Sequence, residues 1–338
     1  MAQPNETVLS VRDMRTEFHG GRGHIRAVDG VSFDVGRGRI VGIVGESGSG
    51  KSMTALSIMG LVPKPSGHVT AQSIMLDGSE LTTLSPDGLR QVRGRDMAMV
   101  FQEPMTSLNP VRKVGEQVGE PLGIHRGMNR RQIRDRVLEM FDLVGIPEPK
   151  ARFDAYPHEL SGGLRQRAMI AMGLICEPKL LIADEPTTAL DVTTQAQILK
   201  LMRELRDRVG TSIILITHDL GIIAEMCDEV NVMYAGQIVE QGSVFDLFDR
   251  PGHPYARGLL ASIPKATEAR SEGHMPSIPG MVPNLQQLPA GCRFNPRCGN
   301  VMPLCHEAEP PLADLGEGHQ ARCWLHATKA LETAGVAR

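Results

Sequence analysis

The chain has 338 residues, 41% of them hydrophobic, and its 36 basic and 39 acidic side chains give a net charge of -3. The hydrophobic content excludes a wholly disordered chain, and the near-neutral charge disfavours a dedicated nucleic-acid-binding protein. No apolar run is long enough to span a bilayer and the N-terminus lacks a secretory signal pattern, so we expect neither a membrane span nor export.

Strand and helix patterns begin at the N-terminus. Residues 5–45 alternate short apolar runs with glycine turns, which predicts strands, and residues 51–61 predict a helix. A second strand-rich stretch follows at residues 68–78. Residues 86–150 change to a helical character, which predicts a separate helical insertion.

One helix in this insertion has a defined start. Asn129 is followed three residues later by Gln132, which is the capping-box arrangement. An apolar stripe at helical spacing follows, formed by Ile133, Val137, Phe141 and Val144. The sequence therefore predicts a helix that begins after Asn129 and buries this stripe.

The second half of the chain alternates buried strands with helices. Apolar runs at residues 179–184 and 211–217 predict strands, and a helix between them begins after Asp191. Residues 229–242 predict a hairpin. This alternation favours an α/β fold with a mostly parallel sheet covered on both faces. From residue 251 onwards, many prolines, glycines and polar residues predict a separate, loop-rich extension.

A phosphate-binding pattern, GESGSGKS, lies between an apolar strand and a helix. Its glycines let successive N–H groups curl around phosphates, and the helix N-terminus adds partial positive charge. Lys51 would reach the β- and γ-phosphates, and Ser52 would bind Mg²⁺. The candidate nucleotide-binding residues here are Gly45, Glu46, Ser47, Gly48, Ser49, Gly50, Lys51, Ser52 and Met53.

Two adjacent acids, Asp184 and Glu185, end the apolar strand KLLIAD. An Asp at a strand end beside a phosphate loop supplies a second contact to Mg²⁺. A carboxylate directly after it can act as general base on the attacking water. The alternative, that both acids only solvate a strand end, is disfavoured by the preceding phosphate loop.

Four further motifs accompany these two. They are Gln102 in VFQEP, LSGGLRQR at residues 160–167, TALD at residues 188–191 and His218 in LITHD. In this order the motifs closely resemble the ATP-binding subunits of ABC transporters, over about residues 8–245.

The resemblance implies a particular architecture. It implies a P-loop NTPase (RecA-like) core with an antiparallel β-subdomain and a helical subdomain at about residues 86–165. The ATP-binding domain would cover residues 5–250, and residues 251–338 would form the loop-rich cysteine extension.

The resemblance also implies roles for single residues. The catalytic set would be Glu185, His218, Gln102 and Lys51, and Mg²⁺ would be held by Ser52, Gln102 and Asp184.

The signature motif would contact the second subunit. A helix would begin with Ser161, Gly162 and Gly163, and these residues would contact the γ-phosphate bound by a second subunit. Leu164 departs from the glutamine often found there, and Asp191 would serve the subunit interface. Phe18 and Ile25 are alternative contacts to adenine.

Cysteines are concentrated near the C-terminus, at Cys292, Cys298, Cys305 and Cys323. In a chain without a secretory signal, such a cluster favours a metal site over a disulfide framework. Four thiolates suit iron–sulfur or zinc, and the spacing C-x5-C-x6-C-x17-C does not choose between them. Cys176 and Cys227 lie in apolar helical surroundings and are predicted core residues.

Two stretches narrow the resemblance. VFQEPMTSLNPVRKVGEQVGE and HPYARGLLASIP resemble dipeptide and oligopeptide importer ATPases, and so does the tail that carries the four cysteines. In that subfamily the cysteines are associated with a [4Fe–4S] cluster, which the resemblance therefore implies here. Zinc and four unliganded thiols remain the alternatives, and His306 is interpreted as a bystander.

The implied function is ATP hydrolysis that drives uptake of di- and oligopeptides, with ATP and Mg²⁺ as cofactors. The chain would sit peripherally on the cytoplasmic face of a bacterial inner membrane. Its partners would be a second ATPase subunit (identical or homologous), two membrane-spanning permease subunits and an extracytoplasmic solute-binding protein, with no nucleic acid.

Two alternatives to this function remain. The same transporter could carry nickel, glutathione or an antimicrobial peptide as its cargo. A soluble ABC ATPase of DNA repair or translation is disfavoured, because the chain has one phosphate loop, one signature and no basic excess.

Overall fold

The computed structural model describes residues 6–20, 23–102, 107–188, 190–263 and 277–327. Residues 103–106 of the VFQEP stretch, Ala189 of TALD, and residues 264–276 and 328–338 of the predicted extension lie outside the described residues. The chain divides into two compact units. Unit 1 consists of the residues up to Ser10, Asp34–Ile40 and Ile74–Ile216, and unit 2 of Val11–Phe33, Val41–Ser73 and the residues from Thr217.

The elements follow the predicted order. The strands are β1 (Thr7–Gly20), β2 (Gly23–Gly36), β3 (Ile40–Val44), β4 (Gly67–Thr70), β5 (Ser73–Leu76), β6 (Ser79–Glu80), β7 (Met97–Val100), β8 (Leu180–Asp184), β9 (Ser212–Thr217), β10 (Glu229–Tyr234), β11 (Gln237–Ser243), β12 (Leu312–Gly316) and β13 (His319–Arg322). The helices are α1 (Lys51–Ile58), α2 (Pro86–Val92), α3 (Val114–Arg126), α4 (Arg130–Leu143), α5 (Pro149–Asp154), α6 (Gly162–Leu174), α7 (Val192–Val209), α8 (Leu220–Met226), α9 (Val244–Asp249), α10 (Pro254–Ala261) and α11 (Leu304–Glu307).

Unit 1 contains three parallel strands, with β8 between β7 and β9. Every residue of these strands is buried. This explains their continuous apolar sequences, because a parallel strand covered on both faces has no solvent side to mark with polar residues. The strands end at Asp184 and Thr217, so the motif residues that follow lie at the carboxyl ends of adjacent strands.

Unit 1 also holds the predicted helical region, in which α3, α4, α5 and α6 pack against one another. The Asn129 side chain accepts hydrogen bonds from the N–H groups of Arg131 and Gln132, and the Gln132 side-chain oxygen accepts one from the Asn129 N–H. The predicted capping box is confirmed. Val137 and Phe141 of the apolar stripe are fully buried, so burial of this face holds the helix in place.

Unit 2 is organised around β3 and β10, which pair in parallel, and the antiparallel hairpin of β10 and β11. β13 pairs with β11, and β12 pairs with β13. The predicted extension therefore contributes two strands that the sequence did not predict. The buried residues of these strands are His319 and two small apolar residues, Ala313 and Ala321, and small residues give only a weak hydrophobic alternation.

The core of unit 2 contains an aromatic cluster, Tyr234, Tyr255 and Phe294. The ring centroids of Tyr234 and Tyr255 are 4.6 Å apart, and Phe294 meets Tyr234 edge-on at 5.2 Å. Edge-to-face contacts of this kind add to the stability that burial alone supplies. Because Phe294 lies between Cys292 and Cys298, this cluster packs the cysteine region onto the β10 strand.

A buried carboxylate, Glu240 on β11, connects the extension to this core. Its oxygens accept hydrogen bonds from the N–H groups of Gly252 (2.8 Å) and His253 (2.7 Å), and one lies 2.8 Å from Nε2 of His319. The residue is 1% exposed. An unpartnered group here would carry a large desolvation penalty, so the carboxylate fixes the start of α10 and the position of β13.

Glu240→Gln should therefore lower the free energy of unfolding by about 2–4 kcal/mol. The amide nitrogen would face an N–H donor, which leaves a buried hydrogen-bonding group unsatisfied. Urea denaturation followed by circular dichroism measures this change. Glu317→Gln, at a side chain that is 83% exposed, is the control and should leave the midpoint unchanged. Equal midpoints for the two variants would contradict the role of Glu240.

No helix in the described part of the chain is both long and apolar enough to cross a membrane.

Candidate functional site

The phosphate loop lies in unit 2, between β3 and α1. Gly48 and Gly50 have φ values of +79° and +104°, which L side chains rarely adopt. A Cβ on Gly50 would also lie 2.6 Å from the carbonyl oxygen of Ala27. These two glycines are therefore required by the path of the loop, as the pattern predicted.

Lys51 begins α1 and is 6% exposed. Its Nζ donates to the carbonyl oxygens of Gly45 (2.8 Å) and Glu46 (3.1 Å), so the ammonium group lies within the curve of the loop. The Ser49 side chain is fully buried, and in the described residues its Oγ has no hydrogen-bond partner. A hydroxyl, an ammonium group and the N–H groups of a helix start form a donor set that fits phosphate oxygens.

Four other residues that were predicted to contact the nucleotide or its Mg²⁺ are half-buried. Ser52 and Met53 are half-buried in the first turn of α1. Phe18 on β1 and Ile25 on β2 are also half-buried, and the choice between them as adenine contacts stays a prediction.

Glu185 follows β8 in unit 1 in a strained conformation, with φ at +46°. Its N–H donates to the Ile216 carbonyl oxygen at 2.9 Å. Its Oε2 accepts hydrogen bonds from Nε2 of Gln102 (3.0 Å) and Oγ1 of Thr188 (2.9 Å). Backbone strain at a non-glycine residue persists only where surrounding contacts impose it. The carboxylate is thus held in one orientation at the end of the strand.

Asp184, the last residue of β8, is 5% exposed. Its carboxylate, the Ser52 hydroxyl and the Gln102 amide oxygen are hard oxygen donors, the class that Mg²⁺ prefers. His218 is exposed and directly follows β9. Next to it, Asp219 caps α8 by accepting from the N–H of Gly221 at 2.7 Å. His218 is therefore placed at the junction of a buried strand and a capped helix.

The signature motif forms a helix start, as predicted. The Ser161 side chain caps α6 by accepting from the Leu164 N–H at 3.3 Å. A Cβ on Gly163 would lie 2.9 Å from Cγ2 of Thr194, so α6 and α7 meet closely there. Asp191 caps α7 by accepting from the Thr194 N–H (2.9 Å) and Oγ1 (2.7 Å), and these bonds lower the pKa of Asp191. The predicted caps are confirmed.

Contacts made by Thr188, Tyr255 and Arg297 to residues of the candidate site were not predicted from the sequence. Thr188 holds the Glu185 carboxylate, and its position three residues later in the PTTALD turn was the available signal. Tyr255 and Arg297, from the C-terminal region, contact Glu46 of the phosphate loop. Those contacts join residues more than 200 positions apart along the chain, and no sequence period marks them.

The four C-terminal cysteines cluster in unit 2. Burial, and then the neighbouring thiols of Cys305, Cys323 and Cys298, raise the pKa of Cys292 to about 11. Burial, and then Cys298 and Cys305, also raise the pKa of Cys323 to about 11. Thiols that affect one another's pKa in this way lie near one another, and such sulfur donors suit soft metals once the metal displaces their protons.

Among the residues that the structure describes, no three of the cysteine sulfurs lie within 4.8 Å of one another. This finding does not choose between iron–sulfur, zinc and unliganded thiols, and the identity of the metal stays a prediction.

The other two cysteines behave as core residues, as predicted. Cys176 is 2% exposed, and burial raises its pKa. Burial also raises the pKa of Cys227 to about 12. A buried, neutral thiol packs as a small apolar side chain, which fits the predicted core role of both residues.

Comparison with known proteins identifies the family. Residues 28–188 match the family model described as ABC transporter, and residues 239–305 match the model described as oligopeptide/dipeptide transporter, C-terminal region. The dipeptide transport ATP-binding protein DppD of Haemophilus influenzae is 49% identical over 91% of this chain and 93% of its own. The oligopeptide transport ATP-binding protein AppD of Bacillus subtilis is 48% identical over 96% of this chain and 99% of its own.

A solved structure gives the same answer for the fold. The dimeric, post-hydrolysis structure of the ATP-binding cassette MJ0796, bound to ADP and phosphate, has a TM-score of 0.62 and 29% identity. The match covers 70% of this chain and 98% of that one. The predicted ATP-binding cassette fold is confirmed. The chain belongs to the ATP-binding proteins of ABC transporters, in the group that carries the oligopeptide/dipeptide transporter C-terminal region.

Proposed function

We propose that the chain is the ATP-hydrolysing subunit of an importer of dipeptides and oligopeptides. The observation that carries the enzymatic part is the fixed carboxylate of Glu185, which Gln102 and Thr188 hold directly after the buried Asp184. The cargo rests on the relatives, whose names specify dipeptide and oligopeptide transport.

The residues divide the chemistry of hydrolysis between them. Lys51 and the loop N–H groups would bind the phosphates, and Ser52, Asp184 and Gln102 would hold Mg²⁺. When bound, Mg²⁺ neutralises charge that develops on the phosphates. Glu185 accepts the proton of the attacking water as general base. His218 contacts the γ-phosphate and orients that water.

A complete site needs a second ATPase subunit. Ser161 and the N–H groups of Gly162 and Gly163 present a hydroxyl and a helix N-terminus to an anion, and we assign them to the γ-phosphate bound by the partner. The dimeric state of the MJ0796 structure supports this assignment. ATP would then favour the closed dimer, and hydrolysis would reopen it.

The membrane partners would dock on the helical region of unit 1. A cavity of about 550 Å³ lies there between α3, α4 and Phe153, and its lining includes Arg112, Glu116, Arg130 and Ile133. A groove with an apolar floor and charged rims suits a short amphipathic segment of a permease subunit. We place the chain on the cytoplasmic face of a bacterial inner membrane through two such permease subunits, with a solute-binding protein on the outer side.

Co-expression of the chain with neighbouring permease, ATPase and binding-protein genes tests this function. The chain should co-purify with the permease subunits, and addition of peptide-loaded binding protein should stimulate ATP hydrolysis. Stimulation by nickel, glutathione or an antimicrobial peptide in place of dipeptides would reassign the cargo. Co-purification with ribosomes or DNA, and not with permeases, would support the soluble ABC ATPase instead.

For the cysteines, we propose a [4Fe–4S] cluster held by Cys292, Cys298, Cys305 and Cys323. Four soft sulfur donors in one region support a thiolate-bound metal centre, and the resemblance of the tail to the peptide-importer subfamily supports iron–sulfur as the metal. Such a cluster would add four thiolate bonds to a region with few regular elements. The extension would begin near residue 251, a boundary that stays a prediction.

Anaerobic purification followed by iron, sulfide and zinc analysis tests the cluster. We expect about four iron and four sulfide per chain, which is the composition of the cluster itself, and loss of both in Cys305→Ser. Cys176→Ser, which removes a buried cysteine outside the cluster, is the control and should keep the full content. One zinc per chain without iron would contradict the assignment.

A further inference from the structure

A two-point ion pair connects the C-terminal cysteine region to the phosphate loop. Nη1 of Arg297 donates to Oε2 of Glu46 at 2.7 Å, and Nη2 donates to Oε1 at 3.0 Å. Glu46 is the second residue of GESGSGKS, and Arg297 immediately precedes Cys298. Paired hydrogen bonds between a guanidinium and a carboxylate fix both distance and orientation.

The arginine is itself rigidly held. Its side chain is 3% exposed, its Nε donates to the Pro279 carbonyl oxygen at 2.8 Å, and its guanidinium lies over the Tyr234 ring. The Glu46 hydrogen bonds raise its pKa, so it stays charged. The main chain of the same loop residue is held as well, because the Glu46 N–H donates to Oη of Tyr255 at 2.8 Å.

A second set of contacts also connects the cysteine region to the phosphate loop. Arg293 donates to the Ala235 carbonyl oxygen at 2.6 Å and forms an ion pair with Asp29. Gly236, which follows Ala235 in the chain, donates its N–H to the Ser49 carbonyl oxygen at 2.8 Å. The cysteine region thus reaches both the start and the end of the phosphate loop.

The charge of Glu46 matters for the ligand. A carboxylate in a loop that binds a polyanion repels the phosphates unless a cation compensates it, and solvent screens this repulsion only in part because the Glu46 side chain is 31% exposed. We propose that Arg297 is a positioning residue for nucleotide binding: by pairing with Glu46 it compensates the charge that would otherwise repel the phosphates. Through Arg297, the C-terminal extension then contributes to nucleotide binding at the ATP site. This inference rests on the proposed ATPase function.

The test measures MgATP affinity of the purified full chain by calorimetry. Arg297→Gln should weaken binding on the order of tenfold, because it leaves the Glu46 charge uncompensated. Adding Glu46→Gln to that variant should restore most of the loss, since the repulsive charge is then gone. Arg250→Gln, at another ion-paired arginine of unit 2, is the matched control and should bind as the wild type does.

Three outcomes are decisive. Wild-type affinity in Arg297→Gln would overturn the proposal. A loss that the double variant does not rescue would also overturn it, because Arg297 would then act only as a scaffold. An unchanged melting temperature and circular dichroism spectrum show that the variants are folded. Failure of the wild-type chain to bind MgATP would instead overturn the proposed function.

A second inference rests on a different observation, a cluster of imidazoles on the β1–β2 hairpin of unit 2. The ligand atoms of Glu17, His19 and His24 all lie within 4.8 Å of one another. Oε2 of Glu17 is 3.1 Å from Nε2 of His24 and 3.9 Å from Nε2 of His19. The other oxygen, Oε1, accepts a hydrogen bond from Nε of Arg26 at 2.8 Å.

This arrangement has the parts of a metal site. One carboxylate oxygen is oriented by Arg26 while the other faces two imidazole nitrogens, which matches the outer hydrogen bond that metal-binding carboxylates usually have. His68, opposite Glu17 on β4, has its ring 5.4 Å from that of His19. We propose that Glu17, His19 and His24 bind a divalent transition metal of the imidazole-preferring class, such as Cu²⁺, Ni²⁺ or Zn²⁺.

Titration of the full chain with Cu²⁺, followed by electron paramagnetic resonance, tests this site. Nitrogen hyperfine structure from imidazole should appear, and His24→Ala should weaken the affinity at least tenfold, because one of three ligands is lost. His158→Ala removes an exposed histidine elsewhere and should bind copper as the wild type does. An identical spectrum and affinity in His24→Ala would overturn the proposal, as would a spectrum with sulfur ligands only.

Discussion

Glu185→Gln is expected to reduce steady-state ATP hydrolysis by on the order of a hundredfold or more, while MgATP still binds. The amide keeps the size of the side chain and can keep the contact to Thr188, but it cannot accept a proton from the attacking water. Phosphate release by the chain, assembled with its partners, measures the rate, and calorimetry measures binding. The two readouts separate a loss of chemistry from a loss of affinity.

Glu204→Gln is the matched control for this variant. It makes the same chemical change at a side chain on α7 that is 62% exposed, and it should hydrolyse ATP at the wild-type rate. Turnover by Glu185→Gln equal to that of this control would exclude Glu185 as the general base. Hydrolysis would then have to depend on another acceptor, and the strain at Glu185 would need a different explanation.

Lys51→Ala is expected to weaken MgATP binding on the order of a hundredfold, because a buried ammonium group directed along the loop contributes charge-assisted hydrogen bonds to phosphate. It also loses the bonds that Nζ makes to Gly45 and Glu46, so the loop itself is less ordered. Fluorescence of a labelled ATP analogue measures the affinity directly.

Lys200→Ala, at a side chain on α7 that is 77% exposed, should bind the analogue with wild-type affinity. The pair of variants removes the same charge from a buried and from an exposed position. Equal affinities would mean that Lys51 does not contact the phosphates, and the assignment of GESGSGKS as a nucleotide-binding loop would be wrong.

Much of the site could be predicted because its chemistry is local. The phosphate loop, the Asn129 and Asp191 caps and the strand before Asp184 depend on residues within a few positions of one another, and each has a known spacing. The alternation of continuous apolar runs with amphipathic helices was sufficient to predict a parallel sheet, because both its faces are covered.

Long-range contacts could not be predicted in the same way. The ion pair of Arg297 with Glu46 joins two distant segments, and nothing in either segment indicates the other. The strain at Glu185 arises from the bonds that fix its main chain and carboxylate, so it is visible only in the folded chain. The β12–β13 hairpin was missed because Ala313 and Ala321 bury little apolar surface and produce a weak alternation.

The cysteine region shows where spacing is insufficient. Its four cysteines indicated a metal site, but the intervals between them matched neither a zinc ribbon nor a ferredoxin pattern. The choice between an iron–sulfur cluster and zinc therefore stays a prediction, which the iron, sulfide and zinc analysis decides.

Peptide transport by the assembled importer in proteoliposomes tests the central claim most directly. The vesicles would contain the permease subunits, the second ATPase subunit and this chain, with ATP on the side of the ATPases and peptide-loaded binding protein on the other. We predict that labelled dipeptide crosses towards the ATP side with the wild-type chain and does not cross with Glu185→Gln. Equal transport with both chains, or ATP hydrolysis without any peptide movement, would contradict the account.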